Sequence, residues 1–400
     1  MLVPKLRFKE FTDEWKKYYI DDIANIYLGL TYTPTYVNEG VPFISSKDIS
    51  KGYLDMKNSK YISIEEFHKA SSNAKPIKGD ILFTRVGSNL GNPTIVDINY
   101  PFAIFVSLGF LRPKSSNINN VFLQQWMRSN YFWHQVDSKV AGGAKQNLNT
   151  GWLKKFDVNI PTISEQNKLS DLMLLLDRKI QLQEQKIEVL KLYKKGTLNT
   201  LTNNIDNNNL KTLKEIGINY SGLSGKSKED FDTGTSYFIT YMSVFKNAID
   251  KKSFRKVNIN SNENQNNVKN KDLFFTVSSE TKEEVGMCAT INTDNEDLYL
   301  NSFCFGYRLN NPNSVNNNYL CYLLLSEKYR KIISDLGQGF TRVNLSKKEL
   351  LNVLVPIPSI EYQILYSNTL KTMDTRIKLE VDKLEKFNEL KKGLMQNMFV

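Results

Sequence analysis

Histidine is nearly missing from this chain of 400 residues: only His68 and His134 occur. Neither stands in a Ser/His/Asp or metal-ligand pattern, and His134 follows the aromatic cluster Tyr131-Phe132-Trp133, which suits packing. Cysteine is scarce too. Cys288, Cys304 and Cys321 all fall in the second half, without CxxC or Cys/His spacing, so neither zinc nor a disulfide framework is indicated. They read as small buried hydrophobes in a reducing compartment. No apolar run approaches the roughly 18 residues of a membrane helix. Met1 to Glu14 is charged and lacks the apolar stretch of a secretory leader, so a cytoplasmic protein is expected. Acidic residues are outnumbered, 42 against 53 Lys and Arg, for a net charge of +11. That surplus points to a polyanionic partner, nucleic acid ahead of a membrane surface.

Catalytic signatures are also missing. Gly222-Leu223-Ser224-Gly225-Lys226-Ser227 resembles the end of a phosphate-binding loop, but Tyr220 occupies the position of its first glycine. Gly91-Asn92-Pro93-Thr94 lacks the second proline and the aromatic of the adenine-methyltransferase tetrapeptide. No Gly-rich strand-to-helix turn for a cofactor is found. Glu65-Glu66 reads as a solvated helix start.

What is present is a duplication. From Gly109 to Gly196 the sequence matches itself at an offset of 197 residues. Gly109-Phe110 pairs with Gly306-Tyr307, Asn147-Leu148 with Asn344-Leu345, Ile160-Pro161 with Ile357-Pro358, and Lys194-Lys195-Gly196 with Lys391-Lys392-Gly393. Ahead of that stretch the offset drifts, from 193 at Ile23 and Ile216, through 195 at Phe43 and Phe238, to 192 at Asp80 and Asp272. The fold class is therefore α+β: two tandem mixed α/β domains, each followed by a long helix.

Short β-rich runs are expected at Val41 to Ser45, Asp80 to Thr84 and Phe102 to Val106, with counterparts at Tyr237 to Ile239 and Asp272 to Thr276. Asn119-Asn120 caps a helix through Trp126 and Met127, matched by a helix over Tyr319 to Lys331. Pro161 and Pro358 precede long proline-free stretches, as at helix starts. In the first, Met173, Leu176, Ile180, Ile187 and Leu190 form an a/d seam; in the second, Leu370, Met373, Ile377, Leu384 and Phe387 repeat its steps. Both seams are interrupted at one place, Gln183 and Glu380. The shared phase and shared interruption favour two helices that pack against each other over two that each cap their own domain. Lys194-Lys195 and Lys391-Lys392 place cations near the helix C-termini. The Asn-rich stretch Thr200 to Asn209 is a linker. The expected divisions are 1–158, a first domain; 159–202, a central helix; 203–355, a second domain; and 356–400, a C-terminal helix.

The remaining chemistry is that of binding. The Gly-containing loops carry Lys145, Gln146 and Asn147 in the first copy and Arg342 and Asn344 in the second. Such loops suit phosphate contact with amides free for base edges; a structural turn whose Asn caps the next segment fits the same residues. Arg85, Ser88 and Asn89 follow a strand, Ser278 sits at the matching point, and Lys47 joins them as a further DNA-contact candidate. The copies align worst at 24–40 with 217–236 and at 45–75 with 240–270, where domains reading different sequences should diverge.

In these features the chain resembles the specificity subunits of type I restriction-modification systems. The resemblance rests on Pro4-Lys5-Leu6-Arg7-Phe8 followed by Trp15, on Ile160-Pro161 to Gln166 and Ile357-Pro358 to Gln363, on Asp-x-x-Ile turns at Asp177 and Asp374, and on the two Lys-Lys-Gly endings. It covers nearly the whole chain. It implies two target recognition domains that each read half of a bipartite double-stranded DNA site. The two helices would form an antiparallel coiled coil and act as a ruler, about 38 residues or about 57 Å, comparable with about 17 base pairs. It further implies two modification subunits and two restriction subunits as partners. S-adenosylmethionine, ATP and Mg would reside on those partners and no cofactor on this chain. A non-catalytic coiled-coil adaptor for proteins is the alternative, and a nucleic-acid enzyme with its own active site is a third reading.

Overall fold

In a computed structural model, residues 3–70, 75–87, 90–140, 147–206, 208–260, 262–293, 297–339 and 341–400 are described. The duplication is reproduced in the central sheet of each copy. The first copy contains a four-stranded antiparallel sheet in the order Ala24–Leu28, Leu108–Pro113, Ile81–Thr84, Pro93–Ile95. The second contains Gly217–Ser221, Cys304–Leu309, Leu273–Thr276, Cys288–Thr290 in the same order. A parallel pair accompanies each sheet, Val41–Ile44 with Ala103–Ile104 and Phe231–Ile239 with Leu298–Leu300. A short antiparallel pair joins the start of each globular part to its end: Lys16–Tyr19 with Asp157–Ile160, and Leu210–Thr212 with Leu354–Pro356.

The middle strands are buried on both faces, so they read as continuous apolar runs rather than alternating ones. Ile81 and Phe83 face the helix-side core with Phe122 and Trp126, while Leu82 and Phe110 face a second core with Ile44 and Phe102. Leu273 and Phe275 face the equivalent helix-side core, and Phe274 the other.

The sheet register corrects the sequence alignment at one point. Ile81 pairs with Leu111, and its counterpart Leu273 pairs with Tyr307. Phe83 pairs with Gly109, and Phe275 with Phe305. The offset in this strand is thus 196, not 197, and Gly109 corresponds to Phe305. A one-residue slip moves every side chain to the opposite face of a sheet. An apolar run buried on both faces carries no alternation to reveal the error. The offset of 197 begins only at the helix caps. Asn119 accepts from the Phe122 N–H and Asn316 from the Tyr319 N–H, both at 2.9 Å. The helix expected over Tyr319 to Lys331 is two helices, Asn317–Leu325 and Glu327–Asp335, separated at Ser326. The Ser326 hydroxyl donates to the Leu323 carbonyl at 2.6 Å, a local bond that competes with helix continuation.

The central helix runs Ile163–Asn203 and the C-terminal helix Ile360–Met398. Both pass straight through the Asp-x-x-Ile and Lys-Lys-Gly motifs. The former are therefore not turns, and the latter do not end the helices. The chain forms two compact units, Met1–Glu184 with Asp382–Val400, and Gln185–Val381, so each globular part takes helix segments from both copies. Met395, Met398 and Phe399 enter the first unit's core beside Trp15, Phe122 and Met173. The sequence counterparts of the two methionines, Leu198 and Leu201, do the same in the second unit beside Tyr319, Tyr366 and Leu370. That burial explains why the helices outrun Gly196 and Gly393, where nothing lies within 4 Å of an added Cβ.

Candidate nucleic-acid interface

Three segments distant in sequence meet at the same place in each unit. In the first, the Arg85 N–H donates to the Ser107 carbonyl and the Leu148 N–H to the Arg85 carbonyl, both at 2.8 Å; Val86 bridges Asn147. In the second, the Val277 N–H donates to the Phe303 carbonyl at 2.9 Å and the Leu345 N–H to the Val277 carbonyl at 2.8 Å. There Ser278–Ser279 pairs with Val343–Leu345, which also pairs with Gly337–Gln338. The residues that follow the middle strand (85–86 and 277–279) and those at 147–148, or at Gly337–Gln338 and Val343–Leu345, separate in the sequence, thus meet at one junction per unit.

The predicted contact residues fall unevenly on these junctions. Asn147, Arg342 and Asn344 are exposed on them. Neither asparagine caps the following helix: Asn149 accepts from the Gly151 N–H at 2.7 Å, and Ser346 from the Glu349 N–H at 3.3 Å. Arg85 is half-buried, its Nη1 donating to the Val106 carbonyl at 3.3 Å and its Nε without a hydrogen-bond partner. Burial pulls its guanidinium below the ordinary arginine value. Ser278 is buried in its strand, and its carbonyl accepts from the Tyr241 hydroxyl at 2.7 Å, so its side chain is not on the surface. Lys47 is exposed on the 3-10 turn Ser46–Ile49. The matching position beyond Thr240, the cap of the next helix in the second unit, is the exposed Met242. Lys145, Gln146, Ser88 and Asn89 lie outside the described residues.

One surface residue has no sequence signal. Phe303 is 53% exposed, with the Arg342 guanidinium over its ring at 5.4 Å. It sits one residue before a strand, outside any apolar period. The poorly aligning segments carry an aromatic-basic surface in the first unit. Lys60 lies 3.9 Å over Tyr36, and Lys51 lies 5.9 Å from the Tyr53 centroid. The equivalent part of the second unit has the exposed ion pair Arg255–Asp232.

The motifs that look catalytic have structural duties. Gly222 lets two backbones meet, since a Cβ there would lie 2.2 Å from the Asn301 carbonyl oxygen. Lys226 is paired with Glu263, whose carboxyl that ammonium pulls down to about 2. Asn92 donates to the Ile49 carbonyl at 3.0 Å. No cluster of three His, Cys, Asp or Glu that could hold a metal occurs among the described residues. No helix of those residues is long and apolar enough to cross a membrane.

The helices hold each globular part through repeated polar contacts. Gln166 accepts from the Asn119 N–H at 2.9 Å and donates to the Pro161 and Asn117 carbonyls at 2.9 and 3.0 Å. Gln363 accepts from the Asn316 N–H at 2.8 Å and donates to Pro358 and Ser314 at 2.8 and 3.1 Å. The opening motif acts here too: Arg7 grips Glu165 bidentately, both bonds at 2.8 Å. Within the first unit Asp177 pairs with Lys391 of the C-terminal helix and with Arg128. Burial lowers the pKa of both cations, and Asp177 opposes the shift. Within the second unit Asp374 pairs with Lys194 of the central helix and accepts from the Tyr322 hydroxyl at 2.7 Å. Asp177 and Asp374 are repeat equivalents, as are Lys194 and Lys391, so the same bond recurs with the helices exchanging roles. Lys186 and Glu380 add a third antiparallel pair, in the second unit. Seam residues Met173, Leu176, Ile187 and Leu370 are buried; Ile180, Leu190, Met373, Ile377, Leu384 and Phe387 are half-buried. The helices therefore pack together as the heptads predict, in the antiparallel arrangement that the resemblance implies.

A duplicated mixed α/β domain, each copy followed by a long helix that pairs with the other, defines a class of two-domain repeat proteins. The type I restriction modification DNA specificity domain matches residues 12–192 and again 205–389. The chain belongs to this family, the specificity subunits of type I restriction-modification systems, and carries two DNA specificity domains. A chain assigned as the MjaX type I restriction enzyme specificity subunit of Methanocaldococcus jannaschii is 24% identical over 98% of this chain and 94% of its own length. The MjaVIII specificity subunit of the same organism is 21% identical over 90% and 88%. The fold matches a type I restriction-modification S subunit from M. genitalium, with TM-score 0.58, 15% identity, and 100% and 99% of the two chains covered. It also matches a chain from a study of type I system assembly and conformational transition, with TM-score 0.61, 15% identity, and 95% and 96% covered.

Proposed function

We propose that each globular part reads one half of a bipartite DNA target and that the paired helices fix the spacer between the halves. The observation that carries this reading is the three-segment junction: one backbone arrangement occurring twice, with different exposed side chains. Lys47, Arg85 and Asn147 serve the first half-site, and Arg342 and Asn344 the second; Lys145, Gln146, Ser88 and Asn89 remain candidates from sequence. Base contacts at each half specify, with about 1–3 kcal/mol lost per mismatch, while the basic surface adds a salt-dependent term.

The chain works without chemistry of its own, in the cytoplasm with its DNA. Two modification subunits supply S-adenosylmethionine and methyl transfer, and two restriction subunits supply ATP- and Mg-dependent cleavage. The modification subunits dock on the helix pair, where Val189, Leu192 and Tyr193 of the central helix and Leu365 and Leu379 of the C-terminal helix are exposed. In the second unit a groove of about 460 Å³ lined by Leu190, Tyr193, Met373, Arg376 and Ile377 lies along these helices. Apolar surface of this kind on a basic protein marks a protein interface.

The test is a base-resolution methylome of a methylation-free host expressing this chain with its cognate modification subunit. A new bipartite adenine-methylated motif, absent without this chain, is the expected result. No new motif, with the modification subunit active beside another specificity chain, refutes the reading. Inserting one heptad in each helix should lengthen the spacer by about three base pairs, since it adds about 10 Å. Unchanged spacing would remove the ruler.

A further inference from the structure

Phe303 is a large aromatic that the fold exposes rather than buries. Its neighbours Cys304 and Phe305 both enter cores, while its own ring stays 53% accessible. The backbone beneath it is fixed: the Phe303 N–H donates to Asn301 Oδ1 at 2.9 Å, and its carbonyl accepts from Val277 at 2.9 Å. The guanidinium of Arg342 lies over the ring at 5.4 Å. Arg342 comes from a hairpin that closes tightly at Gly339, whose φ is +117° and where a Cβ would lie 2.2 Å from the Arg342 carbonyl oxygen. Along this hairpin Val343 and Leu345 are buried and Arg342 and Asn344 exposed; Gln338 pairs opposite Asn344 and is exposed as well.

We propose that Phe303 is a positioning residue that holds Arg342 as a preformed fork for a guanine in the second half-site. This deepens the DNA-reading function proposed above and rests on it. An aromatic face restrains a guanidinium without occupying its in-plane donors. A planar donor fork matches the adjacent O6 and N7 acceptors of guanine in the major groove, whereas adenine sets a donor beside its N7. Holding the fork in advance reduces the ordering cost of binding. The device belongs to the second unit alone. At the equivalent register point, where the Arg85 N–H is received, the first unit has Ser107.

The test compares methylomes of the complete complex carrying the wild-type chain, Phe303→Leu, Phe303→Tyr or Arg342→Lys. Discrimination at one guanine of one half-site should fall about tenfold in Phe303→Leu and in Arg342→Lys, the scale of one bidentate base contact. The other half-site should keep its stringency, and Phe303→Tyr, which retains the ring, should restore the guanine. A ring that merely supports the fold would weaken methylation at every base of that half alike, and this outcome overturns the proposal. So does a motif unchanged in Phe303→Leu, or relaxation by Arg342→Lys at a base other than guanine. If Phe303→Leu fails to assemble, Phe303→Met and Phe303→Tyr carry the test: loss of the guanine in Phe303→Met with its retention in Phe303→Tyr supports the proposal, and equal stringency in both overturns it. A wild-type chain that directs no bipartite motif sinks the underlying function, which separates that failure from failure of the guanine contact.

Discussion

In the first unit, Phe122 stacks on Phe399 from the end of the C-terminal helix, with centroids 5.4 Å apart, and Leu169 shares that core. In the second, Tyr319 stands in place of Phe122 and packs edge-on against Tyr366, which replaces Leu169, at 5.1 Å. The position of Phe399 is taken by Thr202, whose hydroxyl bonds to the Tyr366 hydroxyl at 2.8 Å. The C-terminal helix supplies the aromatic to this corner in both units, as the other copy's helix in the first and as the copy's own helix in the second. A core asks for volume in the right place and accepts it from whichever element supplies it. Gln166 and Gln363 behave differently: residue, position and all three bonds are retained, because a directed polar network has fewer substitutes.

This contrast can be broken most sharply by truncation. Phe399→Ala should cost about 3–5 kcal/mol, as for large aromatic-to-alanine changes in cores. Thr202→Ala should cost about 1 kcal/mol, one hydrogen bond. Denaturant melts of the full chain, with hydrogen exchange to place the loss in one unit, would check both; equal losses would erase the distinction. Gln166→Ala and Gln363→Ala should each cost about 1–2 kcal/mol, because each removes the partner of a part-buried N–H and of two carbonyls, one of them on an exposed residue. Their near equality is the point to verify by the same melts.

The ion pairs should again differ between units. Asp177→Asn leaves Arg128 and Lys391 together without a carboxylate and should cost about 2 kcal/mol, below the fully buried case because all three groups are partly exposed. Asp374→Asn strands a single lysine and should cost about 1 kcal/mol. A larger loss at Asp374 would contradict the charge argument. Smallest of all, Lys47→Ala should lower the salt dependence of DNA binding by about one phosphate contact. Met242→Ala at the equivalent position should leave that slope unchanged, as a titration of affinity against salt would reveal.

Much of the scaffold was legible in the residues. The helix caps Asn119 and Asn316, the proline-led helices and the heptad seams are local patterns, and local patterns survive in sequence. The register of the strand Leu108–Pro113 against Cys304–Leu309 was not, because both faces of that strand are buried. Arg342 and Asn344 stood out as charge and amide beside glycine, whereas Phe303 carried no signal in the sequence. Its exposure depends on a loop whose partners lie near residues 277 and 342.

The sequence by itself determined that the chain is a duplicated α+β protein with two matching helices and a surplus of positive charge. Repeat spacing and heptad phase are properties of the chain in one dimension. Only the tertiary structure decided which helix end completes which core, and which cation answers Asp177 or Asp374. It alone brought the residues near 85, 107 and 147, or 277, 303 and 344, to a single junction. Those outcomes depend on volume, charge and backbone hydrogen bonds matched across more than a hundred residues, and no local pattern encodes such a match.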